Sequence, residues 1–177
     1  LVLEGGKAVF QRSYGLADLE AGVASSPTTN YRLASVSKQF TAASVLLLVE
    51  DGVLTLDDPV RRWLPTLPVA TETITLRHLL SHTSGLIDYE DLLPPDQAHQ
   101  IHDADVLRLL EREDRLYFPA GSDYRYSNSG YALLALVVER ASGQRFAAFL
   151  QARIFSPLGM RATLAREDEG PPVTDRA

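Results

Sequence analysis

The sequence predicts an α+β fold in which one short antiparallel β-hairpin precedes a mostly helical region. Two observations predict it. Gly5-Gly6 separates the apolar runs Leu1-Val2-Leu3 and Ala8-Val9-Phe10, and a glycine pair supplies the positive φ values of a tight hairpin turn. From residue 30 onward, the apolar residues recur at helical spacing. A third observation bears on completeness: a two-stranded ribbon is marginal in water, and the sequence offers no further strands to support this one. The chain is therefore expected to be a truncated fold, the N-terminal portion of a single domain whose C-terminal sheet strands are missing. The expected layout is a hairpin over about residues 1–18, a helical region over about 33–163 and a tail over 164–177.

Composition narrows the function. The 177 residues carry 17 Lys and Arg against 23 Asp and Glu, a net charge of −6, with 45% apolar residues and no cysteine. This is the composition of an ordinary globular domain with enough apolar residues for a core. The absence of cysteine excludes a disulfide framework and any thiolate zinc site. Lys7 and Lys38 are the only lysines, and no basic cluster offers a footprint for nucleic acid or an anionic membrane. The longest apolar stretch, Phe40 to Val49, falls far short of the ~20 residues that span a bilayer. No basic segment precedes an apolar run as in a signal peptide.

The elements follow in order. After the hairpin and a polar loop over Ser25–Asn30, a helix is expected from Ser35 to Asp51, closed by Gly52. It is apolar nearly all round, which predicts a place at the protein centre. Asp58-Pro59 reads as an N-cap and first-turn proline opening a short helix through Trp63, and Thr75 caps another over Leu76–Ser81. Asp103 starts a helix to about Arg112, Ser127 or Asn128 caps a long one ending at Gly143, and a last one runs from Phe146 to Phe155. The stretch Arg166–Ala177, acidic and with Pro171-Pro172, reads as loop.

Two short patterns carry chemistry. Ser35 and Lys38 stand three positions apart at a helix start, so hydroxyl and amine project from one face. A serine becomes a useful nucleophile when a neighbour takes its proton, and burial favours the free amine that would do so. Backbone N–H groups at a helix N-terminus would stabilise charge developing on an attacked carbonyl. Tyr126-Ser127-Asn128 places a phenol and an amide two residues apart just before a helix.

These patterns, together with Leu79-Leu80-Ser81-His82-Thr83-Ser84-Gly85-Leu86 and Ser156-Pro157-Leu158-Gly159-Met160, resemble in order and spacing the serine β-lactamase and penicillin-binding-protein family over about residues 5–163. The likeness is narrower still to its branch of class C β-lactamases, D-alanyl-D-alanine carboxypeptidases and esterases. The resemblance implies a β-lactamase/transpeptidase-like fold and a serine hydrolase that acylates itself with a β-lactam, a D-Ala-D-Ala-type peptide or an ester. Ser35 would be the nucleophile, Lys38 would help to take its proton, Tyr126 would be base or proton relay, and Asn128 would bind the substrate amide. No metal or organic cofactor is implied. A periplasmic or extracellular site is.

The family also uses a third motif, Lys-Thr-Gly or His-x-Gly, on a late strand. Neither lysine and none of His78, His82, His99 and His102 begins one here, so the chain alone is expected to lack turnover. The rival expectation is a non-catalytic homologue that binds peptidoglycan or a partner protein. An open hairpin edge would also suit pairing with a second copy. His78 and His82, four apart, have the spacing of a helical metal pair but no third ligand of suitable spacing. His82 reads as structural, Ser37 as packing, Ser127 as cap or site lining, and Tyr124 has no role assigned.

Overall fold

Gly5 and Gly6 adopt φ +54° and +78°, the two left-handed residues of a tight primed turn. Across them, in the computed structural model, strand β1 (Val2–Glu4) pairs antiparallel with β2 (Lys7–Phe10). The structure describes residues 1–166, 173, 176 and 177. The first ribbon is shorter than expected, because Leu16–Asp18 (β3) pairs instead with Val23–Ala24 (β4) in a separate two-stranded sheet. Asp18 shapes that second turn. Its Oδ1 accepts the Ala21 backbone N–H at 2.7 Å, and Gly22 turns the chain at φ +65°. This is local Asx chemistry within a segment that shows little alternation. Every residue of β1 and β2 is exposed among the described residues.

The helix expected over Ser35–Asp51 divides. Residues Ala34–Ser37 form a 3₁₀ turn, and α1 proper runs over Lys38–Glu50, with Gly52 at φ +73° just beyond its end. Helix α2 (Val60–Trp63) follows, but Pro59 is its N-cap. Asp58 instead binds the Thr55 N–H and hydroxyl at 3.2 and 2.9 Å, Arg62 at 2.8 Å and the Trp63 indole N–H at 3.3 Å. Helix α3 (Leu76–Leu80) is capped by Thr75 as expected, in a reciprocal box: His78 N–H donates to Thr75 Oγ1 at 3.4 Å and Thr75 N–H to His78 Nδ1 at 3.3 Å. Helix α4 starts at Asp103 as expected and runs to Leu110, with His102 at its N-cap. Helix α5 (Asn128–Ser142) opens on Ser127, whose Oγ accepts the Gly130 N–H at 3.3 Å, and closes at Gly143 with φ +69°. Helix α6 (Phe146–Leu150) continues as a π turn over Gln151–Phe155.

The centre belongs to α5, not to α1. Helix α5 packs against α1, α2, α3, α4 and α6, and Leu133, Leu134, Val137 and Val138 on it are wholly buried, each worth about 1.5–3 kcal/mol relative to exposure. Helix α1 buries only Thr41, Ser44, Val45 and Leu48, and Leu46 remains 51% exposed. Its all-round apolar sequence states what it is able to bury, whereas the described residues cover one side. A smaller cluster of Leu150, Ile154 and Phe155 packs on Phe40 and Leu47, with the Phe40 and Phe155 rings edge-on at 5.4 Å.

The expected acidic tail lies mostly outside the described residues. Within them, Arg176 bridges Asn30 in parallel and Ala177 N–H donates to the Asn30 carbonyl at 2.9 Å. This architecture brings the turn before α1 beside the start of α5, with the segment between α3 and α4 alongside both.

Candidate active site

Ser35 occupies the 3₁₀ turn, where residues three apart eclipse one another. Lys38, the first residue of α1, therefore lies over it and donates from Nζ to Ser35 Oγ at 3.1 Å. Ala34 enters the turn at φ +46°, a left-handed conformation that costs a non-glycine residue about 1–2 kcal/mol. The first bond of the turn runs from Val36 N–H to Leu33 O at 3.1 Å, so the Ser35 N–H precedes the bonded donors.

The second pattern arrives from the loop before α5. Tyr126 OH is 2.6 Å from Ser35 Oγ, and Asn128 Oδ1 accepts from Lys38 Nζ at 2.7 Å. Lys38 also lies over the Tyr126 ring, 4.8 Å from its centroid, and over Tyr131 at 5.5 Å, within range of cation–π attraction. All four residues singled out in the sequence thus meet in one place, as two pairs that lie about 90 positions apart in the chain. Burial is less than expected: Ser35 is exposed, Lys38 is half-buried and Tyr126 is 44% exposed. Hydrogen bonding from Lys38, then from Ser35, holds the Tyr126 phenol below its usual range, against some burial and the charge of Asp88.

The β-lactamase family model matches residues 1–177. The chain belongs to the β-lactamase family. It is 40% identical over 166 residues to a penicillin-binding protein of Bacillus subtilis, covering 92% of this chain and 36% of that protein. It is also 40% identical over 176 residues to the esterase EstB of Burkholderia gladioli, covering 91% and 45%. The crystal structure of a penicillin-binding protein from Bacillus halodurans superposes with a TM-score of 0.81 at 34% identity, covering 94% of this chain and 51% of that one. The chain therefore spans about a third to a half of the length of these relatives, and its α+β architecture corresponds to part of the β-lactamase/penicillin-binding fold.

A clamp that the sequence did not reveal sets the start of α5 in this β-lactamase-family chain. Asp88 Oδ2 accepts the Asn128 backbone N–H at 2.6 Å, Tyr89 N–H donates to Ser129 Oγ at 2.7 Å, and Glu90 Oε1 accepts from Asn128 Nδ2 at 3.0 Å. With Lys38 on its oxygen and Glu90 on its nitrogen, the Asn128 amide is fixed in one orientation. Asp88 is 9% exposed and stands at the helix N-terminus, where the backbone dipole favours a carboxylate. Tyr131, three residues past Asn128, was also missed; its spacing on the helix was the available signal. Its OH donates to the Leu80 carbonyl at 3.0 Å.

Other sequence candidates resolve differently. His78 is spent in the α3 capping box, and among the described residues no group of three or more His, Cys, Asp or Glu could hold a metal ion. Ser127 caps α5, while Ser37 is exposed rather than packed. Among the described residues no helix is long and apolar enough to cross a membrane. A pocket of about 290 Å³ extends from Ser35, Lys38 and Asn128 between α1, α4 and α5 toward Phe146, and Asp103 lines it. Asp103 stays accessible to solvent within this concave wall. Crowding by surrounding protein, then the charge of Glu139, raises its carboxyl to about 6, against the pull of His102.

Proposed function

We propose that this chain carries the acylation apparatus of a serine hydrolase, with Ser35 as nucleophile, Tyr126 as base and proton relay, Lys38 as the cation that sustains Tyr126, and Asn128 as the substrate's amide contact. One observation carries the reading: Ser35 Oγ lies within hydrogen-bond reach of both Tyr126 OH, at 2.6 Å, and Lys38 Nζ, at 3.1 Å. When Lys38 donates to Oγ, the serine's own hydrogen points to the Tyr126 oxygen, and the phenolate that the lowered pKa makes accessible is a competent acceptor. Attack forms the Oγ–C bond as the proton passes to Tyr126. Collapse breaks the carbonyl's bond to nitrogen or oxygen, and Tyr126 returns the proton to the leaving group. The Ser35 N–H supports the oxyanion. Water would release the acyl group in a second step.

The carbonyl class proposed is a β-lactam, a D-Ala-D-Ala-type peptide or an ester, in keeping with relatives named as a penicillin-binding protein and an esterase. Mass spectrometry after incubation with penicillin or with an activated acyl ester tests the reading. The expected result is one acyl adduct on Ser35, absent in Ser35→Ala. A chain unmodified by either reagent would favour the binding-homologue reading instead. Because no Lys-Thr-Gly or His-x-Gly stands in these 177 residues, the isolated chain is expected to stop at the adduct. Steady hydrolysis of a chromogenic lactam by residues 1–177 would overturn that expectation.

A further inference from the structure

His82 holds the backbone at φ +59°, a left-handed conformation in which glycine or asparagine is the usual occupant and which persists only where surrounding contacts enforce it. Besides the bond from its own N–H to the Leu79 carbonyl at 3.4 Å, two backbone contacts tie it to the residues on either side of Tyr126. The His82 carbonyl accepts the Arg125 N–H at 3.0 Å and its Nδ1 accepts the Ser127 N–H at 3.2 Å. Both backbone amides flanking Tyr126 are therefore bonded to one residue 44 positions away. The imidazole also lies against the Tyr126 ring, with centroids 4.6 Å apart and planes tilted by 33°, and against Tyr131 at 5.2 Å and 35°.

This arrangement requires a neutral ring. An Nδ1 that accepts a backbone N–H carries no proton, which places the imidazole hydrogen on Nε2. Protonation would set a second donor against the Ser127 N–H. It would also add a cation beside two rings that Lys38 already faces. The groups around the imidazole are Lys38 from α1, Asp88 from the segment before α4, Tyr124 and Tyr126 from the loop before α5, and Tyr131 from α5. Burial and then Lys38 push its pKa below the ordinary range, while Asp88 and the Ser127 contact pull the other way.

We propose that His82 is a positioning residue for Tyr126: its uncharged imidazole locks the Arg125–Ser127 segment and the phenol against Ser35 and Lys38, and protonation releases them, giving acylation of Ser35 an acid limb. This rests on the acyl-transfer reading above, and two measurements separate the fates of the two ideas. In NMR spectra of the ¹⁵N-labelled chain taken from pH 8 to 5, the His82 imidazole shows the Nε2–H form at high pH. The Ser127 amide and the Tyr126 ring signals move in step with its titration. In His82→Asn, which tolerates the left-handed conformation and offers an amide oxygen near the place of Nδ1, that coupled transition is absent.

In the second measurement, Ser35 acylation by p-nitrophenyl butyrate is followed by mass spectrometry. His82→Phe, which keeps a ring but loses the acceptor, slows labelling on the order of 10- to 100-fold at pH 8, the cost of a small misplacement. His82→Asn recovers part of that loss and lacks the acid limb. A folded His82→Phe that labels at the wild-type rate, or a Ser127 amide indifferent to the His82 titration, overturns the proposal. A wild-type chain that takes no label defeats the acyl-transfer reading and with it the acid limb, while the NMR titration still decides whether His82 holds Tyr126.

Discussion

Asp88 Oδ2 accepts the backbone N–H of Asn128 at 2.6 Å, so a carboxylate from a distant loop caps the helix whose first residue faces Lys38. The same side chain accepts the Glu90 N–H at 3.2 Å, tying the clamp loop to itself. Removing the carboxylate leaves two backbone donors with fewer partners, one of them at the start of the central helix. Asp88→Ala is expected to cost about 1.5–3 kcal/mol, the range for hydrogen bonds to a charged group, measured by urea unfolding. A loss below about 0.5 kcal/mol would mean that Ser127 alone sustains the start of α5.

Lys38 contacts Ser35, Asn128 and the face of Tyr126 at once. The Tyr126 phenol lies below its usual range chiefly because of Lys38, so Lys38→Met is expected to return it upward. The sign is fixed by charge: removing a neighbouring cation disfavours phenolate and shifts ionisation to higher pH. Absorbance near 295 nm, with Tyr126→Phe subtracted to isolate this tyrosine among the seven, reads the shift. An unchanged titration in Lys38→Met would remove Lys38 from the account of Tyr126.

Features built from neighbouring residues were legible in the sequence. The Gly5-Gly6 turn, the Thr75 cap and the Gly143 stop each depend on a few adjacent side chains, and each stands where its local chemistry puts it. Ser35 with Lys38, and Tyr126 with Asn128, were legible for the same reason. Their convergence was not a matter of spacing and came from the family resemblance. The clamp from residues 88–90 was illegible because its partners are about 40 positions away and two of its bonds use backbone N–H groups, which every sequence supplies. The exchange of centrality between α1 and α5 has another cause: both are rich in apolar residues, and which of them is surrounded depends on tertiary packing that periodicity does not encode.

Gly85 shows how tightly the Ser81–Leu86 segment is seated. It adopts φ +71°, its carbonyl accepts the Tyr117 N–H at 2.7 Å, and a Cβ there would stand 2.0 Å from the Phe118 carbonyl oxygen. Gly85→Ala combines backbone strain with a clash against main chain that has no rotamer to change, so a loss of about 3 kcal/mol or more is expected. Gly159, at φ +66° with open space around it, isolates the strain alone, and Gly159→Ala should cost about 1 kcal/mol. Equal urea midpoints for the two variants would mean that the segment bearing Phe118 yields freely.

Asp103 gives stability a pH dependence of definite sign. Its carboxyl is raised from an ordinary 3.8 to about 6, so the folded chain retains a proton that the unfolded chain gives up between those values. A raised carboxylate pKa favours the native state below the ordinary value and withdraws that contribution as pH rises through the folded one. Asp103→Asn carries no such proton. The difference in Tm, variant minus wild type, is therefore expected to grow between pH 4 and pH 7. The start of α4 pulls in the opposite direction, because a carboxylate in the first helical turn gains about 0.3–1 kcal/mol from the backbone dipole. Crowding in the pocket wall and the charge of Glu139 outweigh it if the difference rises with pH; if the difference falls, the dipole governs this residue and Asp103 is an ordinary helix-start acid.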